Sequence, residues 1–290
     1  MHLVVGATGL LGSEICRLLA AEGKPARALV RQTSDQSKVA QLESLNVEIA
    51  RGDLKHRPSL DASCRGVSVV ISTASSTLSR QEGDSIQTVD LEGQLNLIDA
   101  AKAANVSHFV LISFPQVDVE FPLQNAKRTV EDHLKSSGVT YTILRPTFFM
   151  EVWLSPALGF DAANAKAQIY GSGENKISWI SYKDVAKFAI ASSDNSEARN
   201  AVIELGGSEA LSPLEVVQIF EKLKGRKFDI QHVPEEALRE QREGASDPLQ
   251  QSFAGLMLNY SRGSIIDMQE TLQKFPVELT SIRDYAQASG

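Results

Sequence analysis

The sequence predicts an α/β fold: a doubly wound parallel sheet with a smaller C-terminal α/β lobe. Three observations predict it. Short, almost uniformly apolar runs alternate with helical patterns through the first half of the chain. The first run stops on three glycines spaced three apart, Gly6, Gly9 and Gly12. After Pro146 this rhythm gives way to segments broken by proline and glycine. Strands without polar interruption suit a sheet covered on both faces, and strand–helix alternation suits parallel crossovers.

The elements follow in order. The first strand begins at residue 3 and breaks at Gly6; a helix is legible in Ser13 to Ala21, where Ile15, Leu18 and Leu19 share a face. The second strand, Ala26 to Val30, comes after a Gly23-Lys24-Pro25 break. A helix from Ser37 to Ser44 leads to the third, Val47 to Ala50, and Val67 to Ser72 is the fourth. A strong helix, Gln94 to Ala104, precedes the fifth, Phe109 to Ser113. A helix from Lys127 to Lys135, stopping at Gly138, precedes the sixth, Thr140 to Leu144. Beyond Pro146, Phe148-Phe149-Met150 enters a loop-like excursion containing Pro156, Gly159 and Gly171-Ser172-Gly173. Ile177 to Ile180 and Val202 to Leu205 read as strands, with a helix over Asp184 to Ser192 between them. Ser212-Pro213-Leu214-Glu215 is a helix start, cap then proline then acid, whose body Val216 to Leu223 ends at Gly225. Phe228 to Val233 is strand-like and the remainder mostly helical.

Composition narrows the functional classes. The chain has 290 residues, 42% of them hydrophobic, enough for a large core. A net charge of -7 argues against a nucleic-acid-binding surface. Cys16 and Cys64 lie far apart with no metal-type spacing and read as buried thiols of a reducing compartment. The five histidines are scattered, so no metal site is expected. No room for a signal peptide and no membrane-length apolar run predict a soluble, cytoplasmic protein.

An apolar strand that runs through a glycine turn into a helix aims unpaired N–H groups, and the positive end of the helix dipole, at whatever sits above the turn. A pyrophosphate fits there; the alternative is a tight turn that merely needs glycine. Residues 1–155 are therefore expected to form a dinucleotide-binding domain. Residues 156–290 are expected to form a substrate or partner lobe, with 175–205 returning to the sheet. At the end of the second strand a carboxylate suits NAD and an arginine suits the 2′-phosphate of NADP. Here Arg31 stands, with no carboxylate before Asp35 and with Thr33 and Ser34 as further hydroxyl donors, so NADP(H) is expected. Asp53 reads either as a contact to the adenine edge or as a turn aspartate. Thr73, Ala74 and Ser75 read either as small residues that let a cofactor pass or as a polar loop.

The run Gly6-Ala7-Thr8-Gly9-Leu10-Leu11-Gly12 resembles the short-chain dehydrogenase/reductase superfamily, specifically its atypical NmrA-like branch. Val30-Arg31, Gly52-Asp53, the stretch Ala100 to Ser113 and the run Leu144 to Glu151 resemble it too. The likeness covers residues 1 to 205 well and the rest loosely, and Arg145 to Glu151 is its most specific marker. It implies an NAD(P)-binding Rossmann fold. It also implies cofactor contacts at Gly6, Thr8, Gly9, Leu10, Leu11, Gly12, Arg31, Asp53, Thr73, Ala74, Ser75, Lys127, Thr147, Phe148 and Phe149. Members of the branch include NADPH-dependent quinone reductases, reductases of plant phenylpropanoids, and regulators that bind the dinucleotide.

In ordinary short-chain dehydrogenases a tyrosine four residues before a lysine donates the proton. Here the matching lysine is Lys127 and the matching position holds Leu123, which has no proton to give. The resemblance makes Lys127 a ribose contact and candidate acid; alternatively it is a surface residue paired with Glu131, worth about 0.3–0.5 kcal/mol. Ser113 resembles the substrate-orienting serine, or is a polar strand terminus.

The main expectation is hydride transfer from NADPH to a quinone, carbonyl or enone, with Lys127 and Ser113 catalytic. Phe148, Phe149, Met150 and Trp153 would then line a slot for a flat aromatic, or else they are core. The alternative is a non-catalytic NADP(H)-binding redox sensor, regulator or assembly factor. It would work through a protein partner on the charged flank of the helical stretch Pro234 to Met257. A sugar-nucleotide epimerase ranks last, because it needs the missing tyrosine. The faces of the helix from Gln94 and the helix from Lys127 leave a homodimer open.

Overall fold

The computed structural model describes residues 1–77 and 81–289. The first strands and helices alternate: β1 (His2–Val5), α1 (Leu10–Ala21), β2 (Ala26–Val30), α2 (Gln36–Ser44), β3 (Glu48–Arg51), α3 (Arg57–Ser63) and β4 (Val69–Ser72). A six-residue π-helix (Ile86–Leu91) then runs into α4 (Glu92–Ala103), followed by β5 (His108–Ile112), α5 (Pro122–Ser136) and β6 (Tyr141–Pro146). Next come α6 (Met150–Trp153), β7 (Phe160–Asp161), β8 (Lys166–Tyr170), β9 (Ile177–Ser178), α7 (Tyr182–Asp194) and β10 (Ala201–Leu205). The chain closes with β11 (Ala210–Leu211), α8 (Pro213–Lys224), β12 (Asp229–Val233), α9 (Glu235–Gly244), α10 (Pro248–Arg262), α11 (Gln269–Lys274) and α12 (Ile282–Ala288).

Seven strands form one sheet in the order β10-β6-β5-β4-β1-β2-β3, and the pairings from β6 to β3 are parallel. This is the doubly wound α/β fold. Strand order reverses between β1 and β4, whose ends are in register at Val5 and Ser72. Ligands of such sheets bind outside the carboxyl ends of the strands at this switch point.

The described chain divides into two compact units. The first takes Met1–Phe114, Leu123–Arg145 and Val185–Ile203; the second takes Pro115–Pro122, Pro146–Asp184 and the chain from Glu204 onward. The core of the first unit joins the sheet to its helices through Leu3, Val70, Leu97, Phe109, Val130 and Ile143. The second unit holds a three-stranded sheet, β12-β8-β7, and a two-stranded one, β11-β9. Its α8 is closed at both ends as its sequence demands, by a reciprocal Ser212–Glu215 capping box and by Gly225 at φ 66°.

Several boundaries differ from the sequence pattern for definite reasons. α1 begins at Leu10 rather than Ser13, because Gly9 itself is the N-cap. α5 begins at Pro122 rather than Lys127, its first turn burying Leu123 and Ala126. Lys127 therefore sits in the second turn and does not open the helix. α3 and β8 have no counterpart in the sequence reading. The strand expected over Ile177 to Ile180 is a two-residue strand, followed by a single bridge from Ile180 to Phe149.

Candidate functional site

In the first unit the site is built on the turn after β1. Gly6 has φ +84°, and its carbonyl accepts the N–H of Gly9 at 2.9 Å. A Cβ on Gly12 would lie 2.2 Å from the Gly6 oxygen, so only glycine lets the helix start so close to the strand. Gly9 caps α1 with no side-chain acceptor, leaving the first-turn N–H groups to any anion above them. Gly9 and Leu10 are exposed, Thr8 is half-buried, and Leu11 packs inward. An uncapped, glycine-lined helix end at the switch point fits a dinucleotide pyrophosphate.

The loop after β4 presses against this turn. The Thr73 hydroxyl donates to the Val5 carbonyl at 3.1 Å, and a Cβ on Gly6 would meet Thr73 Oγ1 at 2.6 Å and the Ala74 N at 2.9 Å. Gln94 of α4 fixes the loop from behind, accepting from Ser72 Oγ at 2.8 Å and donating to the Ala74 carbonyl at 3.0 Å. Ser75 Oγ is bonded to Thr77 Oγ1 at 3.2 Å. Thr73 thus shapes the turn with its hydroxyl, while the Ala74 backbone lies close against Gly6.

At the end of β2, Arg31 does not stand alone. Its Nη1 donates to Asp84 Oδ2 at 2.5 Å, and Lys55 Nζ donates to Asp84 Oδ1. Burial works against the Asp84 charge, but the bonds from Lys55, the Gln81 N–H and Arg31 hold its carboxyl below the ordinary carboxylate value. Of the hydroxyls expected to assist Arg31, Thr33 donates to Gln81 instead, while Ser34 accepts the Arg31 N–H and keeps its own O–H. Asp53 makes an aspartate turn, accepting the Lys55 N–H at 2.8 Å.

Lys127 is buried, 6% exposed, and its partner is not Glu131. Nζ lies 3.7 Å from Oδ1 of Asp90, a residue of the π-helix. Asp90 Oδ2 accepts the N–H and Oγ–H of Ser76 at 3.0 and 2.6 Å, whereas Oδ1 has no hydrogen-bond partner among the described residues. Insertions of this π type recur at functional sites. Leu123 lies one turn before Lys127 on the same helix face, buried and aliphatic.

Glu131 instead joins two arginines. It accepts from Arg145 Nη2 at 2.5 Å and pairs with Arg128 Nη2 at 3.0 Å. Arg128 also donates to Ser113 Oγ at 2.9 Å and to the Phe114 carbonyl at 2.6 Å. Ser113 lies just past β5, 7% exposed, with its oxygen held by this guanidinium. Arg128, Asp84, Asp90 and Gln94 carry no motif that marks them in sequence. The only signal was Asp90, an acid within a segment whose neighbours Val89 and Leu91 are apolar.

Thr147, Phe148 and Phe149 belong to the second unit. The Thr147 hydroxyl donates to the Ser178 carbonyl. Phe148, 6% exposed, meets Trp153 edge-on at 4.8 Å and Tyr260 at 5.9 Å, within a cluster that includes Trp179. Phe149 is half-buried at the start of α6. The marker run has local causes at both ends: Arg145 anchors to Glu131, and Glu151 accepts from Ser181 Oγ and the Tyr182 N–H at the start of α7. Burial pushes the Cys16 thiol up to about 12 and is the main cause that raises Cys64 to about 11, leaving both unreactive. Among the described residues no helix is long and apolar enough to cross a membrane.

The NmrA-like family matches residues 2–285. The NAD(P)H azoreductase of Xenophilus azovorans is 33% identical over 229 residues, spanning 78% of this chain and 74% of its own. The photosystem II assembly factor Ycf39 of Trieres chinensis is 29% identical over 301 residues, spanning 98% of this chain and 90% of its own. The crystal structure of the Escherichia coli NADPH-dependent quinone oxidoreductase QOR2 with NADPH shares the fold, with TM-score 0.80 and 23% identity over 100% of this chain and 99% of that one.

Proposed function

The chain belongs to the NmrA-like family, and on that premise we propose that it binds NADP(H) and reduces a quinone or another carbonyl or enone. The uncapped turn at Gly6 to Gly12 takes the pyrophosphate, and Arg31 faces the 2′-phosphate. When bound, the nicotinamide supplies hydride.

The observation that carries the reductase reading is the buried Lys127, set 3.7 Å from Asp90. An ammonium so placed keeps a donor for the oxygen on which negative charge develops, while Asp90 balances its charge. Leu123 cannot do this work. A quinone makes the smallest demand on an acid, because its reduced form spreads the charge. Ser113, with its oxygen fixed by Arg128, retains its own O–H for the substrate oxygen. A relative named as an azoreductase and a structural neighbour named as a quinone oxidoreductase support this class of substrate.

A second reading has its own support: the relative named as a photosystem assembly factor aligns along 98% of the chain. On that reading the dinucleotide is sensed and a protein is the partner. Two measurements separate the readings, NADP(H) binding and NADPH oxidation across quinones, aldehydes and enones. Binding with turnover, lost in Lys127→Ala, is expected. Binding without turnover across the panel would replace the reductase with the sensor. Equal affinity for NADPH and NADH, or NADPH binding unchanged in Arg31→Ala, would overturn the cofactor assignment.

A further inference from the structure

At the carboxyl end of β2 two cations share one buried carboxylate. The Asp84 side chain is 1% exposed, yet Arg31 and Lys55, which bond to its two oxygens, remain 26% and 28% exposed. Asp84 Oδ2 also accepts the Gln81 N–H at 2.9 Å, and Gln81 Nε2 donates to the Thr33 carbonyl at 3.1 Å. Residues 81–84 are thereby fastened to the end of β2 through the side chains of Gln81 and Asp84. Lys55 has a second, looser acid, Asp53 at 3.3 Å, which also closes its own turn.

A guanidinium fork and an ammonium converging on one point offer more donors than a carboxylate has oxygens. A phosphomonoester offers three oxygens and about −1.5 to −2 charges, which matches that donor set better. We propose that Arg31 and Lys55 together form a site for a ribose 2′-phosphate, and that Asp84 is its resident counter-ion, displaced when the phosphate arrives. The inference rests on the NADP(H) reading. It adds Lys55 as a second cation and makes Asp84 the residue that sets how strongly the phosphorylated nucleotide is preferred. A nucleotide without the phosphate leaves the Asp84 bonds intact. One with it must draw both cations away from a buried carboxylate that then keeps the Gln81 N–H, so Asp84 tempers the preference.

The test is calorimetric titration of the whole protein with NADPH, NADH, 2′,5′-ADP and 5′-ADP, in wild type, Asp84→Asn and Lys55→Gln. Asp84→Asn is expected to tighten NADPH and 2′,5′-ADP about ten-fold and leave NADH and 5′-ADP unchanged. Lys55→Gln, at a more exposed position and checked by circular dichroism, is expected to weaken the two phosphorylated ligands about five- to ten-fold and spare the others. Weaker NADPH binding in folded Asp84→Asn would show that the carboxylate arranges the cations rather than competing for them, overturning the inference. An equal effect of Lys55→Gln on all four ligands would remove Lys55 from the site. If wild type binds NADPH and neither variant changes the NADPH-to-NADH ratio, this inference fails while the NADP(H) reading stands. If wild type binds no nucleotide, both fall.

Discussion

Lys127 Nζ and Asp90 Oδ1 are 3.7 Å apart, close enough for ion pairing and too far for a hydrogen bond. The two residues come from different elements, α5 and the π-helix, and both side chains are buried, at 7% and 0% exposure. Ser76 locks the other oxygen of Asp90, so the carboxylate cannot rotate freely toward the ammonium. A pair held in this way leaves Lys127 with donors for a third group.

Replacing Lys127 with alanine should lower NADPH-dependent quinone reduction about 100-fold, the usual scale for losing a positioned acid. Steady-state rates beside NADPH titration check this, and the loss should fall mainly on kcat. Asp90→Ala removes one member of a buried pair and should cost about 3 kcal/mol of stability, read as a lower urea midpoint.

Gly9 and Gly12 should respond differently to alanine. At Gly9 a Cβ would meet only the Gly6 oxygen, at 3.2 Å, and otherwise project to the open side of the turn. Gly9→Ala should therefore stay folded and lose at least about ten-fold in NADPH affinity. At Gly12 the Cβ would strike Gly6 O at 2.2 Å, and the variant should be destabilised by about 3 kcal/mol. Thermal melts with nucleotide titration separate the two outcomes.

Glu131 is 1% exposed and serves two guanidinium groups at once. Glu131→Ala takes the carboxylate from both and should cost about 3–5 kcal/mol. Chemical denaturation measures it. A loss under about 1 kcal/mol would show that the pairing adds little to the fold.

Stability should fall on mild acidification. Burial is the main cause that holds the imidazoles of His2 and His108 below their ordinary value of 6.5; the Arg199 charge adds to it at His108. In the unfolded chain both titrate near 6.5, so between that pH and their folded values the unfolded state binds more protons. Their contribution is complete above pH 6.5 and is lost as the pH falls through the folded values. Melting temperatures from pH 7.5 to pH 5 should decline, and less steeply in His108→Gln. A flat profile would overturn the assignment.

The centre of the sheet was legible because its inner strands are buried on both faces, so apolar runs mark Val69–Ser72 and His108–Ile112. α3 was not, since its seven residues bury only Leu60 and Ser63 and show no period. β8 was missed because it exists through pairing with β12, more than sixty residues on. Lys127 reads as a helix start in sequence but lies in the second turn, because Pro-Leu-Gln-Asn reads as loop until Leu123 is seen to be buried.

By itself the sequence determined the glycine turn, the helix that follows it, the arginine at the end of β2 and the leucine in place of tyrosine. Each of these is a local matter of backbone freedom, apolar period or side-chain chemistry within a few residues. Tertiary structure alone decided what those residues touch. Asp84 reaches Arg31 across 53 positions, Asp90 reaches Lys127 across 37, and Arg128 takes Ser113. Charges pair by distance in space, and no spacing along the chain encodes which buried carboxylate will meet which cation.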